Sequence, residues 1–164
     1  MSETIPIDSL HGSRAFRLLS WPSFDEALAE ERLRDLRLLG VDALILGGPH
    51  LVSSIRILGK GHVGIVVAAK MGEMRAALKV RRTDADRATL RDEAELLGLA
   101  NSVRVGPELL GCTDDLLLME LIEGWKLSDP RQAVRHRLVN RASCSGSVFT
   151  RLTAKSRLPT ILRR

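Results

Sequence analysis

The chain has 164 residues, of which 45% are hydrophobic and 27% are charged, and this balance excludes a disordered or fibrous protein. Its apolar runs are shorter than the roughly 18 residues of a membrane-spanning helix, and its N-terminus lacks the basic-then-apolar pattern of a secretory signal. Two cysteines, Cys112 and Cys144, are too few for a disulfide framework and favour a reducing, cytoplasmic compartment.

The formal net charge of +5 is distributed unevenly along the chain. Residues 1–127 contain 16 Lys and Arg against 19 Asp and Glu, which gives −3, whereas residues 128–164 contain nine against one, which gives +8. One interpretation of the basic segment is a disordered arm with weak, nonspecific contact with nucleic-acid phosphates. The alternatives, which we favour in combination, are a structured continuation of the fold and the product of a shifted reading frame. Phe149 is its only Phe, Tyr or Trp, so this segment offers no platform on which bases could stack.

Residues 1–52 are predicted to form a helical N-terminal extension. An amphipathic helix is expected over residues 23–39, because apolar side chains recur there with the period of a helix while charged residues occupy the other face. Ser23 and Glu26 have the spacing of a capping box, which predicts Ser23 as the N-cap. The apolar run at 41–46 predicts a short buried extended segment, and the Gly-Gly-Pro after it predicts a turn.

Residues 53–127 predict five short strands and one helix. The strands are expected near 55–58, 65–69, 76–80, 108–112 and 116–122, and the helix is expected over 84–99. Strand and helix do not alternate, which argues against a parallel α/β fold and favours an α+β fold with a five-stranded antiparallel sheet and one packed helix. Residues 128–139 predict a further helix, and from residue 140 onward the basic tail has no clear period and is expected to be largely irregular.

A glycine-rich segment, which we call the glycine loop, occupies residues 59–64 with the sequence GKGHVG. In a dinucleotide-binding fold such glycines end a strand and open a helix, but the β-branched residues after Gly64 favour a strand. A loop between two strands can fold over phosphates, because without Cβ atoms its backbone N–H groups are accessible. The alternative is an ordinary hairpin whose glycines have positive φ.

Lys79 lies within an apolar predicted strand and needs an anionic partner, since burying an unpaired ammonium is costly. Glu93 and Glu95 both lie on the following predicted helix, but they point about 200° apart, so only one of them can pair with Lys79. Such a pair would hold the lysine toward bound phosphates. The alternatives are a lysine that protects an edge strand from aggregation and glutamates on a solvated helix face.

In this order, the glycine loop, the Ala-x-Lys strand, the helix glutamate and the hinge-like Met-Glu-Leu-Ile at 119–122 resemble the N-terminal lobe of the protein kinase superfamily. The compact form is similar to small prokaryotic Ser/Thr kinases of the atypical, RIO-like kind. The resemblance covers residues 55–127 and implies a nucleotide site for ATP. The residues that it implies are Leu58, Gly59, Lys60, Gly61, His62, Gly64, Val66, Ala77, Lys79, Glu93, Met119, Glu120 and Ile122.

The resemblance also implies a role for each part of this site. The three glycines of the glycine loop would cover the phosphates, and Lys79 would contact the α- and β-phosphates while pairing with Glu93. Val66 and Ala77 would line the adenine pocket. Met119 would be the gatekeeper, and Glu120 and Ile122 would offer backbone groups to adenine.

The catalytic half of a kinase site is absent from this sequence. Kinases use a catalytic-loop Asp and Asn and a later Asp-Phe-Gly, whereas here the last acidic residue is Asp129, and His136-Arg137 is followed by Leu138. We therefore predict no catalytic and no metal-binding residues in this chain, with Mg²⁺ expected only in an intact relative. The loss of acidic residues and the excess of 20 Arg over five Lys predict a C-terminally truncated or frameshifted chain.

Two functions are consistent with these features. The first is the ATP-binding lobe of a Ser/Thr protein-kinase-like phosphotransferase, which in the intact family transfers the γ-phosphate of ATP to a protein hydroxyl and which we expect to be inactive in this chain. The alternative is a non-enzymatic binding module whose basic tail contacts nucleic acid or a protein partner. Neither function involves a membrane.

Overall fold

Residues 2–124 are described by a computed structural model. The tail predicted for 128–164 lies outside the described residues, and so does the nucleic-acid contact predicted for it. The described strands are β1 Glu3–Pro6, β2 Ala43–Leu46, β3 His50–Val52, β4 Ile55–Ile57, β5 Gly59–Lys60, β6 Gly64–Met71, β7 Met74–Arg81, β8 Leu109–Cys112 and β9 Leu116–Glu120. The helices are α1 Glu26–Leu38, α2 Arg91–Ser102 and two 3-10 helices, Ile7–Ser9 and Arg14–Ser20.

The main sheet has seven strands in the order β1-β2-β6-β7-β9-β8, with β5 also paired to β6, and all neighbours are antiparallel. The predicted α+β fold with an antiparallel sheet is therefore confirmed at this level. The sheet is larger than the five strands expected, because β1 and β2 from the N-terminal residues 1–52 extend it beyond β6.

The strand expected near 55–58 forms β4, but it pairs with β3 in a separate hairpin instead of joining the main sheet. The turn between them places Ser53 and Ser54 at positive φ, 47° and 67°. Two consecutive residues with positive φ are typical of the tight turns that match the twist of a two-stranded hairpin. The pattern of turn residues alone did not reveal this pairing, since serine tolerates positive φ less readily than glycine or asparagine.

The first long helix begins later than its sequence pattern predicts. Asp25 is the N-cap of α1, and its Oδ1 accepts a hydrogen bond of 3.1 Å from the backbone N–H of Leu28. The prediction of Ser23 as N-cap was therefore wrong, because Asp25 offers the same capping chemistry two residues further on. Similarly, α2 begins at Arg91 and not at residue 84, since the chain from 84 to 90 forms an irregular connection after β7.

The two faces of the sheet pack against different helices. On one face, apolar side chains of β6, β7 and β9 share a core with α1 and the 3-10 helices. On the other face, Leu117 of β9 packs against Leu90 and Ala94 at the start of α2. This second contact places α2 beside the middle of β7 and β9, where the predicted site residues lie.

One charged side chain, Arg32 of α1, lies fully buried in this core. Its Nε donates to Asp115 Oδ2 at 2.9 Å, and its Nη1 donates to the carbonyl oxygens of Leu19 and of Arg81, the latter at 2.9 Å. Burial lowers the pKa of the Arg32 guanidinium, and the charge of Asp115 opposes that shift. The network joins α1 to the turn between β8 and β9. Within residues 2–124, neither α-helix has the length and apolar character needed to cross a bilayer.

Candidate nucleotide-binding site

Four of the predicted site residues lie on one face of the sheet. Val66 is paired with Lys79, and Ala77 is paired with Met119. Directly paired residues of antiparallel strands point to the same face, and alternate residues of one strand do so as well. Val66, Ala77, Lys79 and Met119 therefore share the face against which α2 packs. Ala77 is buried, while the other three are partly exposed.

Lys79 forms an ion pair with Glu93 of α2. Its Nζ lies 2.7 Å from each of the two carboxylate oxygens. The lysine side chain is 17% exposed and that of Glu93 is 32% exposed, so the pair is shielded but still accessible from solvent. Glu95 is exposed on the same helix, and of the two glutamates left open by the sequence, Glu93 is the partner. Leu90 and Ala94 set this arrangement by fixing the first turn of α2 on the sheet.

The glycine loop is a tight hairpin between β5 and β6. Gly59 is paired with Val66 and Lys60 with Ile65, and the N–H of Gly61 donates to the carbonyl oxygen of Gly64 at 2.8 Å. Within residues 59–64 no glycine has a positive φ, so the feature expected of an ordinary glycine hairpin is absent from this segment. Positive φ therefore does not explain why glycine occupies positions 59, 61 and 64.

Gly64 is required because β7 approaches it closely, above all at the backbone carbonyl of Val80 and also at the Lys79 side chain. A Cβ atom at position 64 would lie 2.7 Å from the carbonyl oxygen of Val80 and 3.1 Å from both Cγ and Cε of Lys79. Contacts below 3.0 Å are not tolerated in a packed interior without movement of the backbone. The glycine thus permits the lysine stem to run along the loop toward Glu93.

The remaining predicted residues lie at or near the ends of β5, β6 and β9, and Ile122, two residues beyond β9, is exposed. His62 is at the exposed tip of the glycine loop, with its Nε2 3.8 Å from Asp86. Leu58 donates its N–H to the carbonyl oxygen of Val66 at 3.0 Å, directly before the loop. At the other end, the N–H of Glu120 donates to the carbonyl oxygen of Glu108 at 2.8 Å, so this backbone donor already has a partner within the sheet.

Sequence reasoning missed a second group of residues beside the glycine loop. Arg82 Nη1 donates to the carbonyl oxygen of Gly61 at 3.2 Å. The backbone N–H of Arg82 donates to the carbonyl oxygen of Val63 at 2.9 Å. Hydrogen bonds from Arg82 lower the pKa of Asp84, and the same bonds raise the pKa of Arg82. The guanidinium also lies against the ring of Trp21. No local pattern signals these contacts, because Trp21 and Arg82 are 61 positions apart.

Comparison with known proteins provides no relative for this chain, since it matches no family model, no curated protein and no solved structure. The functional interpretation therefore rests on the side chains themselves. The arrangement offers a fixed cation beside a glycine loop and an apolar floor next to it, which is chemistry for holding a phosphorylated ligand with a flat apolar group.

Proposed function

We propose that this chain binds ATP at the Lys79–Glu93 pair, as the nucleotide-binding lobe of a Ser/Thr protein-kinase-like phosphotransferase. The observation that supports this most strongly is the ion pair, with Nζ 2.7 Å from both oxygens of Glu93. A carboxylate that holds a lysine from one side orients the ammonium, and the partly exposed side remains open to a phosphate.

The surroundings of Lys79 support the same ligand. The stem of Lys79 runs along Gly64, so the ammonium lies close to the glycine loop, whose tip at Gly61 and His62 is exposed. Val66, Ala77 and Met119 are on the same face of the sheet as the ammonium and give an apolar surface for a purine ring. A cation beside a loop and an apolar floor together match a nucleoside triphosphate better than a free phosphate.

Binding, and not phosphoryl transfer, is the activity that we propose for this chain. Transfer to a protein hydroxyl requires an Asp base and metal-binding Asp and Asn residues, and the 164 residues contain no Asp-Phe-Gly and no acidic residue after Asp129. The γ-phosphate would be transferred only where a catalytic half completes the site. We therefore expect Mg-ATP to bind without being consumed.

Calorimetric titration of Mg-ATP into the full chain and into Lys79→Met tests the proposal. Met keeps the length of the stem and removes the charge, so the loss of a charge-assisted contact should weaken binding by roughly tenfold to a hundredfold. Lys70→Met is the matched control, because Lys70 is an exposed lysine of β6. It lies four residues along that strand from Val66, the residue paired with Lys79 in the sheet. This variant should bind like the wild type.

Two results would contradict the proposal. If the wild-type chain binds no Mg-ATP, the nucleotide site is wrong. If Lys79→Met and Lys70→Met bind equally well, Lys79 is a structural lysine. Phosphate release or transfer by the wild-type chain would instead contradict the absence of catalysis.

A further inference from the structure

The glycine loop lies beside a tryptophan from the N-terminal part of the chain. Trp21 follows the 3-10 helix Arg14–Ser20, and its side chain packs against the main core. Its carbonyl oxygen accepts a hydrogen bond of 3.0 Å from the N–H of Thr83, just after β7. Lys60 Nζ lies 4.9 Å and Arg82 Cζ 4.6 Å from the centre of the ring. At these distances the negative face of an indole attracts a cation.

Arg82 connects that ring to the turn of the glycine loop. Its Nη1 donates to the carbonyl oxygen of Gly61, while Nε and Nη2 donate to the two oxygens of Asp84 at 2.7 and 2.6 Å. The bidentate pair holds the planar guanidinium in one orientation. Trp21 therefore contacts the strand before the turn directly, through Lys60, and the turn indirectly, through Arg82.

We propose that Trp21 is a positioning residue for the glycine loop, an inference that rests on the proposed nucleotide function. The loop has exposed positions at Lys60, Gly61 and His62, and three of its six residues have no side chain that could pack. Contacts from a ring fixed on the core order the loop before a ligand arrives, which removes part of the entropy cost of binding. Through Trp21, the N-terminal segment sets the affinity of the site for the phosphates of ATP.

Two substitutions separate the aromatic face of Trp21 from its apolar volume. Trp21→Phe keeps a ring that attracts cations, although less strongly than indole, and Trp21→Leu keeps only an apolar side chain. In the free protein, we expect Trp21→Leu to speed hydrogen exchange of the Gly61 and Arg82 amides by roughly tenfold, with Trp21→Phe between Leu and the wild type. Unchanged exchange at Val67 and Leu78, in the central strands, shows that the fold is intact.

Mg-ATP titration of the same variants completes the experiment. Trp21→Leu should weaken binding by roughly fivefold and Trp21→Phe by less, because a loop that is not held must be ordered by the ligand. Equal exchange at Gly61 in all three proteins would overturn the inference whether or not ATP binds. Faster exchange with an unchanged affinity would overturn the role of Trp21 in nucleotide affinity while leaving the Lys79 site in place.

A failure of the proposed nucleotide-binding function would give a different experimental result. If the wild-type chain binds no Mg-ATP, the proposed function fails, and the role of Trp21 in nucleotide affinity fails with it. The exchange data on the free protein still show whether Trp21 holds the loop, because they need no ligand. The two conclusions are thus tested by separate measurements.

Discussion

At the scale of single residues, the Arg32–Asp115 and Lys79–Glu93 ion pairs have different environments. Arg32 is fully buried and bonded to Asp115 and two carbonyl oxygens, whereas the Lys79–Glu93 pair is partly exposed. A buried charge that loses its partner is strongly destabilising, while a pair that solvent reaches contributes little to the free energy of unfolding. We therefore assign Arg32 to stability, and the exposure of the Lys79–Glu93 pair is consistent with the ligand binding that we propose for Lys79.

Arg32→Met tests the structural half of this assignment. The substitution leaves the carbonyl oxygens of Leu19 and Arg81 without their side-chain donor and removes one of the two arginines that contact Asp115. We expect the free energy of unfolding to fall by about 3 kcal/mol, a large part of what a small domain has. Urea denaturation followed by circular dichroism measures this change.

Arg34→Met provides the comparison on the same helix. Arg34 is exposed on α1, so its removal should change the free energy of unfolding by less than about 0.5 kcal/mol. Equal stability of the two variants would show that the buried network of Arg32 does not hold α1 on the sheet.

At the scale of elements, the close approach of β7 to the glycine loop depends on Gly64. In Gly64→Ala the new methyl group would meet the carbonyl oxygen of Val80 at 2.7 Å and the stem of Lys79 at 3.1 Å. Because β6 and β7 are paired along eight residues, the strands cannot separate there without disturbing their ladder. We expect a loss of about 1–3 kcal/mol in the free energy of unfolding, measured by thermal or urea denaturation.

Gly61→Ala is the control within the same loop. A Cβ at position 61 would have the carbonyl oxygen of Gly64 at 3.4 Å as its nearest neighbour, and the φ of Gly61 is not positive. Alanine should therefore be accommodated with a much smaller change in the unfolding midpoint. If alanine at 64 were tolerated as well as alanine at 61, the close packing of Lys79 on the loop would be refuted.

The sequence predicts the elements of the described chain better than it predicts their pairing. Short apolar runs separated by turn residues located β6, β7 and β9, and the helical period located α1 and α2. The strands are apolar on both faces because both faces are covered, whereas each helix buries one face. The pairing of β1 with β2, and of β2 with β6, was missed. The strand β1 is only four residues long, and its partners lie some 40 positions away.

The same distinction holds for the candidate site. The pairing of Lys79 with Glu93 was predictable because an ammonium in an apolar strand needs a carboxylate and the next helix supplies one. The choice between Glu93 and Glu95 required the packing of Leu90 and Ala94, which fixes the rotation of α2. Trp21 and Arg82 were missed since their contact is between distant segments and follows no period.

At the scale of the whole molecule, the core of the described unit is divided between the N-terminal 52 residues and the part that resembles a kinase lobe. The buried residues contributed by the N-terminal part include Leu10, Phe16, Leu18, Leu19, Leu33, Leu36, Leu44 and Leu46. They cover one face of β6, β7 and β9, whose own apolar side chains would otherwise be exposed to water. The unit that folds therefore includes residues before position 53, where the part that resembles a kinase lobe begins.

Expression of two segments tests this division of the core. A chain of residues 53–127 loses β1, β2, β3, α1 and both 3-10 helices. We expect it to be insoluble or to lack a cooperative melting transition, because each large apolar side chain left uncovered costs about 1.5–3 kcal/mol. A chain of residues 1–124 retains the whole sheet and both faces of its core, so it should melt cooperatively. Differential scanning calorimetry compares them, and cooperative melting of 53–127 alone would show that the N-terminal segment is an addition to the fold and not part of its core.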